Sequence, residues 1–175
     1  GRRSHDKADE AYRRAEKRAK GSLKIDTWIQ HCRNRLVADD APGARAVLDR
    51  ALQSNDDRVA LTSRFGVLEF QVGAKERGRT TFDALLADHA KRLDVWQLYL
   101  AQLIKAKEPV DVVRAVYRRL AAAPLPPKAM KTALRRFVEF EQEHGDETSQ
   151  ADVRRLAQNY VTAKLGEEPG AASSS

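Results

Sequence analysis

His31 and Cys32 stand side by side and pair a general base with a nucleophile. Neighbours on a helix point about 100° apart and do not face each other. No acid is spaced along the sequence to orient the imidazole, so the pair reads as packing, with His31 at a ring position and Cys32 a small buried hydrophobe. His5, His89 and His144 are scattered, with no HxxxH or His/Cys cluster for zinc. Gly78 lies in a helix pattern, and no glycine-rich loop is present to cradle a phosphate. Glu69 and Glu141 recur at equivalent repeat positions and read as structural hydrogen bonds or ion pairs between helices, not as acid-base groups. Nothing converges on a reacting atom, so the expectation is a chain that is not an enzyme, with no cofactor, no metal and no small-molecule substrate.

The remaining chemistry is cationic. Lys and Arg outnumber Asp and Glu by 32 to 25, giving a net charge of +7 and a pI near 9.7. That balance suits a polyanionic partner such as RNA, an acidic protein or an acidic membrane surface. With 33 % of residues charged and signs alternating, most of these charges form a solvated face. Candidate contacts for RNA or an acidic partner are Arg13, Arg14, Lys17 and Arg18; Arg114, Arg118 and Arg119; and Lys128, Lys131, Arg135 and Arg136. Spacings of four put Arg114 with Arg118, and Lys131 with Arg135, on stripes that could follow a phosphate backbone. Arg50 recurs in a repeat pattern and reads as structural. The rings of Trp28, Phe65, Trp96, Tyr99, Phe137 and Phe140 could stack bases, but their helical spacing assigns them to the core.

Two patterns position these residues. A ring or apolar residue is followed by a second three places on and a third position four further on: Trp28, His31, Arg35; Thr62, Phe65, Glu69; Trp96, Tyr99, Leu103; Leu134, Phe137, Glu141. Their starts lie 34, 34 and 38 residues apart, and members at such spacings share one helix face. About 16 residues after each of the first three comes a small or branched residue, then Arg, then an apolar stripe, beginning at Ala44-Arg45, Gly78-Arg79 and Val113-Arg114. Ala8 to Ala15 aligns 36 residues upstream of the clearest copy and reads as the second helix of a truncated preceding unit. Gly73 and Gly145 stand where first helices should end in the left-handed conformation that glycine tolerates. Pro42 and Pro109 open second helices. The spacing predicts helices near 5–20, 24–38, 42–54, 57–72, 75–88, 91–106, 109–122, 127–144 and 147–164. The expected organisation is an array over 5–165, about four hairpins plus one preceding helix, and a disordered tail over 166–175.

A first helix of the kind Trp96-x-x-Tyr99, paired in each repeat with a second helix of the kind Ala44-Arg45-x-x-Leu48-Asp49-Arg50-Ala51-Leu52, resembles the HAT (half-a-TPR) repeat found in RNA-processing factors. More closely, Leu68 to Gly73, Glu76 to Phe82, Lys91 to Tyr99, and Glu139-Phe140-Glu141 before Gly145 resemble the carboxy-terminal repeats of a family of ribosomal RNA processing proteins. The likeness covers residues 8 to 165. It departs at His31 and Arg35, where Tyr and Glu are usual, and at Leu103. It implies an all-α, right-handed α-solenoid of HAT/TPR-like hairpins in a nuclear, nucleolar protein whose amino-terminal RNA-binding domains precede this stretch. The implied partners are proteins of the pre-ribosomal particle, with pre-rRNA or small nucleolar RNA, in the small-subunit processome. A repeat segment of a splicing or mRNA 3′-end factor, or a module that binds RNA directly, are the alternatives. Cys32 is the single cysteine and suits a reducing compartment. No run approaches the ~20 apolar residues of a membrane span, and no membrane partner is expected.

If Trp96 is a core ring, Trp96→Ala lowers unfolding free energy by about 3 to 5 kcal/mol. Urea unfolding measures it; a variant that unfolds with the parent refutes the register.

Overall fold

A computed structural model of the chain describes residues 2–18, 22–55 and 57–167. Every regular element among them is a helix, which makes the chain an all-α helical repeat protein. In order they are α1 (Arg2–Arg18), α2 (Ser22–Val37), α3 (Ala41–Ser54), α4 (Arg58–Gln71), α5 (Lys75–Asp88), α6 (Leu93–Lys105), α7 (Val110–Ala121), α8 (Pro127–His144) and α9 (Glu147–Glu167). Each expected helix is present with ends shifted by at most three residues. Gly166 and Glu167, expected in the tail, belong to α9; the rest of that tail, 168–175, lies outside the described residues.

Local chemistry sets the boundaries. The Asp40 carboxylate accepts from the Gly43 N–H at 2.9 Å ahead of α3, and Asp57 accepts from the Ala60 N–H at 3.0 Å ahead of α4, each satisfying an N–H that the helix leaves unpaired. Asp146 and Ser149 cap α9 reciprocally, with N–H to side-chain distances of 2.8 and 3.0 Å. Pro109 and Pro126, extended at ψ 146° and 152°, stop the chain before α7 and α8.

First helices end on a left-handed residue that recurs every 34 residues: Asp39 at φ 59°, Gly73 at 85° and Lys107 at 56°. Only one of the three is glycine, so the repeat geometry imposes a conformation that costs an L-residue about 1–2 kcal/mol. Gly145 departs from the expectation. It is extended, at φ −97° and ψ 177°, and glycine is needed there for room: a Cβ would lie 2.2 Å from both Glu141 Oε2 and Ser149 Oγ.

The chain divides into two compact units, one running to His89 and including Asp94–Ala106, the other taking Ala90–Leu93 and the residues from Lys107 onward. The core of the first begins with Trp28, Cys32 and Leu36 of α2, Val47, Leu48 and Ala51 of α3, and Leu61, Phe65 and Leu68 of α4. It continues in an aromatic cluster, with Phe82 stacked on Tyr99 at 5.0 Å and Phe70 tilted against both. Two reciprocal notches lock α4 to α5. Gly66 of α4 leaves space for the Phe82 ring and Gly78 of α5 for the Phe70 ring; a Cβ would meet them at 2.8 and 2.6 Å. The core of the second unit stacks Tyr117 on Phe137 at 5.1 Å and sets Phe140 against Tyr117 at 4.9 Å.

Helix propensity alone favours Ala over Gly by about 1 kcal/mol, whereas an extra carbon forced into a packed contact costs about 1–3 kcal/mol. Gly78→Ala therefore produces a net loss of up to about 2 kcal/mol, read as a lower thermal midpoint at unchanged helix content. A stabilised variant would show that the notch does not constrain the pair.

Candidate nucleic-acid interface

The polar interior follows one rule. Where the third position of the next first helix is an acid, the Arg that opens the preceding second-helix pattern reaches toward it. In the second unit, Arg114 Nε donates to Glu141 Oε1 at 2.6 Å and Nη2 donates to Oε2 at 3.0 Å. Glu141 is 1 % exposed. The Arg114 hydrogen bonds hold the Glu141 carboxyl below the usual glutamate range, opposed by burial and helped by Ser149. In the first unit the equivalent Glu69 is equally buried, but Arg45 comes only to 3.9 Å and Thr81 donates the short hydrogen bond. Burial therefore prevails over those partners and pushes the Glu69 carboxyl up.

The same contact appears at α1 with its polarity reversed. Asp9 occupies the Arg45 register and Arg35 the Glu69 register, and they form an ion pair that Asp40 extends at 2.9 Å. Where Leu103 replaces the acid, Arg79 hydrogen-bonds Tyr99 instead, and burial, first of all, pushes that phenol up to about 12.

His31 corrects the expectation that no acid serves it. Its Nδ1 lies 2.6 Å from Glu16 Oε1, its Nε2 lies 2.8 Å from Asp9 Oδ1, and its ring stacks on Tyr12 at 5.1 Å. Both acids come from α1, 15 and 22 residues back, beyond any spacing within one helix. A carboxylate at each ring nitrogen fixes the orientation of the ring. No nucleophile results: the Cys32 thiol contacts the Ala44 carbonyl at 3.7 Å, and burial, reinforced by Glu16, pushes it up to about 12.

The basic candidates separate into groups. Arg114 leaves the exposed stripe assigned to it, because its guanidinium is engaged by Glu141 and also meets Asp111 at 3.0 Å. Arg14 is exposed and paired with Glu10 at 2.5 Å. Arg118 and Arg119 are exposed on α7, and Arg18 on α1. Arg13 and Lys17 border a groove between α1, α2 and α3 that also contains Lys24 and Arg50, two cations absent from the sequence candidates. Lys128, Lys131 and Arg135 are exposed at successive positions of one α8 face, with Arg136 beside them. The rings Trp28, Phe65, Trp96, Tyr99, Phe137 and Phe140 are buried and offer no stacking platform. Among the described residues no group of acids, His and Cys could hold a metal ion, and no helix is long and apolar enough to cross a membrane.

No family model matches the chain. Among curated proteins it is 36 % identical over 142 residues to the rRNA biogenesis protein rrp5 of Schizosaccharomyces pombe, which takes in 80 % of this chain. It is 33 % identical over 151 residues to rRNA biogenesis protein RRP5 of Arabidopsis thaliana and 34 % over 159 residues to the human protein RRP5 homolog, covering 85 % and 90 % of the chain. The chain is an RRP5-related repeat segment. It spans about 8 % of the length of each of these relatives. On this RRP5-related segment Arg13, Lys17, Lys128, Lys131, Arg135 and Arg136 are exposed.

The two buried glutamates predict opposite pH behaviour. Glu141, held below the ordinary glutamate value of 4.5, contributes stability that is present above that value and lost as pH falls through its lowered folded value. Glu69, held above it, contributes stability present below 4.5 and lost as pH rises through its raised folded value. Glu141→Gln thus costs about 3 kcal/mol at neutral pH, by removing the buried charge that answers Arg114 and leaving it only the exposed Asp111, and its deficit narrows in acid. Glu69→Gln gains on the parent as pH rises. Urea unfolding from about pH 3, below the ordinary glutamate value, to about pH 8, well above it, distinguishes the signs.

Proposed function

We propose that this segment is a non-enzymatic scaffold of a nucleolar pre-rRNA processing factor, holding proteins of the pre-ribosomal particle and touching pre-rRNA or small nucleolar RNA. Its place is the small-subunit processome. The names of the relatives, rRNA biogenesis proteins in fission yeast and Arabidopsis, support the setting. The observation that carries the RNA contact is the α8 stripe: Lys128, Lys131, Arg135 and Arg136 are exposed and have no carboxylate partner among the described residues. Cations spaced by about one helical turn match a phosphate track, with each contact releasing a counterion. Because the rings are buried, the contact reads backbone and not bases.

Filter binding of a pre-rRNA fragment tests this. Arg135→Glu with Arg136→Glu weakens retention about tenfold or more and lowers the dependence on salt by about one contact per side chain. Retention unchanged by the reversal and insensitive to salt defeats the RNA contact. Recovery of pre-rRNA and U3-type small nucleolar RNA with the protein from cells supports the scaffold setting, and recovery of spliceosomal RNA instead defeats it.

A further inference from the structure

Arg13 and Lys17 of α1, Lys24 and Trp28 of α2, and Arg50, Gln53 and Ser54 of α3 border one open groove of about 680 Å³. Three other arginines of this unit are answered by carboxylates: Arg14 by Glu10, Arg35 by Asp9 and Asp40, Arg64 by Asp26. In the groove the balance differs. Its one carboxylate, Glu16, is buried and turned onto His31 at 2.6 Å. Lys24 donates to the Ser54 carbonyl at 3.2 Å, the open end of α3. Arg13, Lys17 and Arg50 have no carboxylate partner among the described residues; Arg50 lies over the Trp28 ring at 6.0 Å. The Trp28 indole N–H, buried beside them, has no acceptor among those residues either.

We infer that this groove is a docking site for an acidic peptide segment of a partner protein. Like charges gathered over a low-dielectric floor repel one another, and an anion relieves that repulsion more strongly than water does. Two features favour a peptide over RNA. The one aromatic surface, Trp28, is 5 % exposed and already covered by the Arg50 guanidinium, so no base can stack on it. Gln53 and Ser54 add neutral groups able to bond a peptide backbone beside the cations. The inference rests on the scaffold reading only in taking the partner to be a protein, and it uses a different helix from the proposed RNA contact.

Fluorescence anisotropy of the full chain with a labelled Glu-rich peptide, and with a single-stranded oligouridylate of equal charge, tests it. Peptide binding weakens about tenfold in Arg13→Glu with Lys17→Glu, and by a smaller factor in Arg13→Gln with Lys17→Gln. Both side chains are exposed, and helix content read by circular dichroism verifies folding. Added salt weakens the peptide complex, the α8 reversal at Arg135 and Arg136 leaves it unchanged, and the Trp28 indole N–H resonance shifts on titration while that of Trp96 does not. Absence of peptide binding, peptide affinity indifferent to the groove variants, or a groove reversal that weakens oligouridylate more than peptide overturns the inference. Failure of the α8 reversal to alter RNA retention counts against the RNA contact alone.

Discussion

A carboxylate buried between helical hairpins must be answered where it lies, because an isolated charge removed from water costs several kcal/mol. Glu141 is answered fully, by two hydrogen bonds from Arg114. Glu69 is answered by a threonine hydroxyl and a distant guanidinium. The rest of the array follows from this demand. At Glu69 and Glu141 the second-helix Arg stands opposite the third position of the following first helix, which limits how far those two helices can slide along each other. Apolar packing alone does not fix that distance, since Leu, Val and Phe stripes accept neighbours at several offsets.

Satisfying the interior divides the cations into two populations. Arg35, Arg79 and Arg114 spend donors on Asp9, Tyr99 and Glu141, while Arg45 comes only to within 3.9 Å of Glu69. Arg13, Lys17, Lys131 and Arg135 are exposed. The net charge of +7 therefore overstates uniformity and understates local contrast: what a partner meets is set by which cations the ion pairs leave over. Arg114 shows why spacing alone misleads. It shares a helix face with Arg118 at i+4, yet one is held by Glu141 and the other is exposed.

Helical periodicity made the elements legible because each first helix repeats its ring positions and each second helix its Ala-Arg pattern, signals confined to one helix. Gly73 was legible for the same reason. Asp39 and Lys107 were not, because no residue type announces a left-handed conformation imposed by the repeat. The acids on His31 escaped as well: they sit on a preceding helix, and nothing in the local spacing joins position 31 to positions 9 and 16. One signal was nevertheless present. Aligning Ala8 with Ala44 places Asp9 where Arg45 stands, while Arg35 stands where Glu69 does. Two departures from pattern, each odd alone, compensate as a pair.

That exchange also bears on stacking order. If α1 packed against α4 in place of α3, Asp9 would face Glu69; if α3 packed against α2 through the same positions, Arg45 would face Arg35. Two like charges 4 Å apart at an effective dielectric near 20 repel by about 4 kcal/mol, comparable to the whole stabilisation of a small domain. Hairpins built on nearly the same apolar pattern are otherwise interchangeable, so the reversed pair supplies what hydrophobic packing lacks. It favours α1 on α2, the helix on which Glu16 meets His31 and the α1 cations border the groove shared with α3.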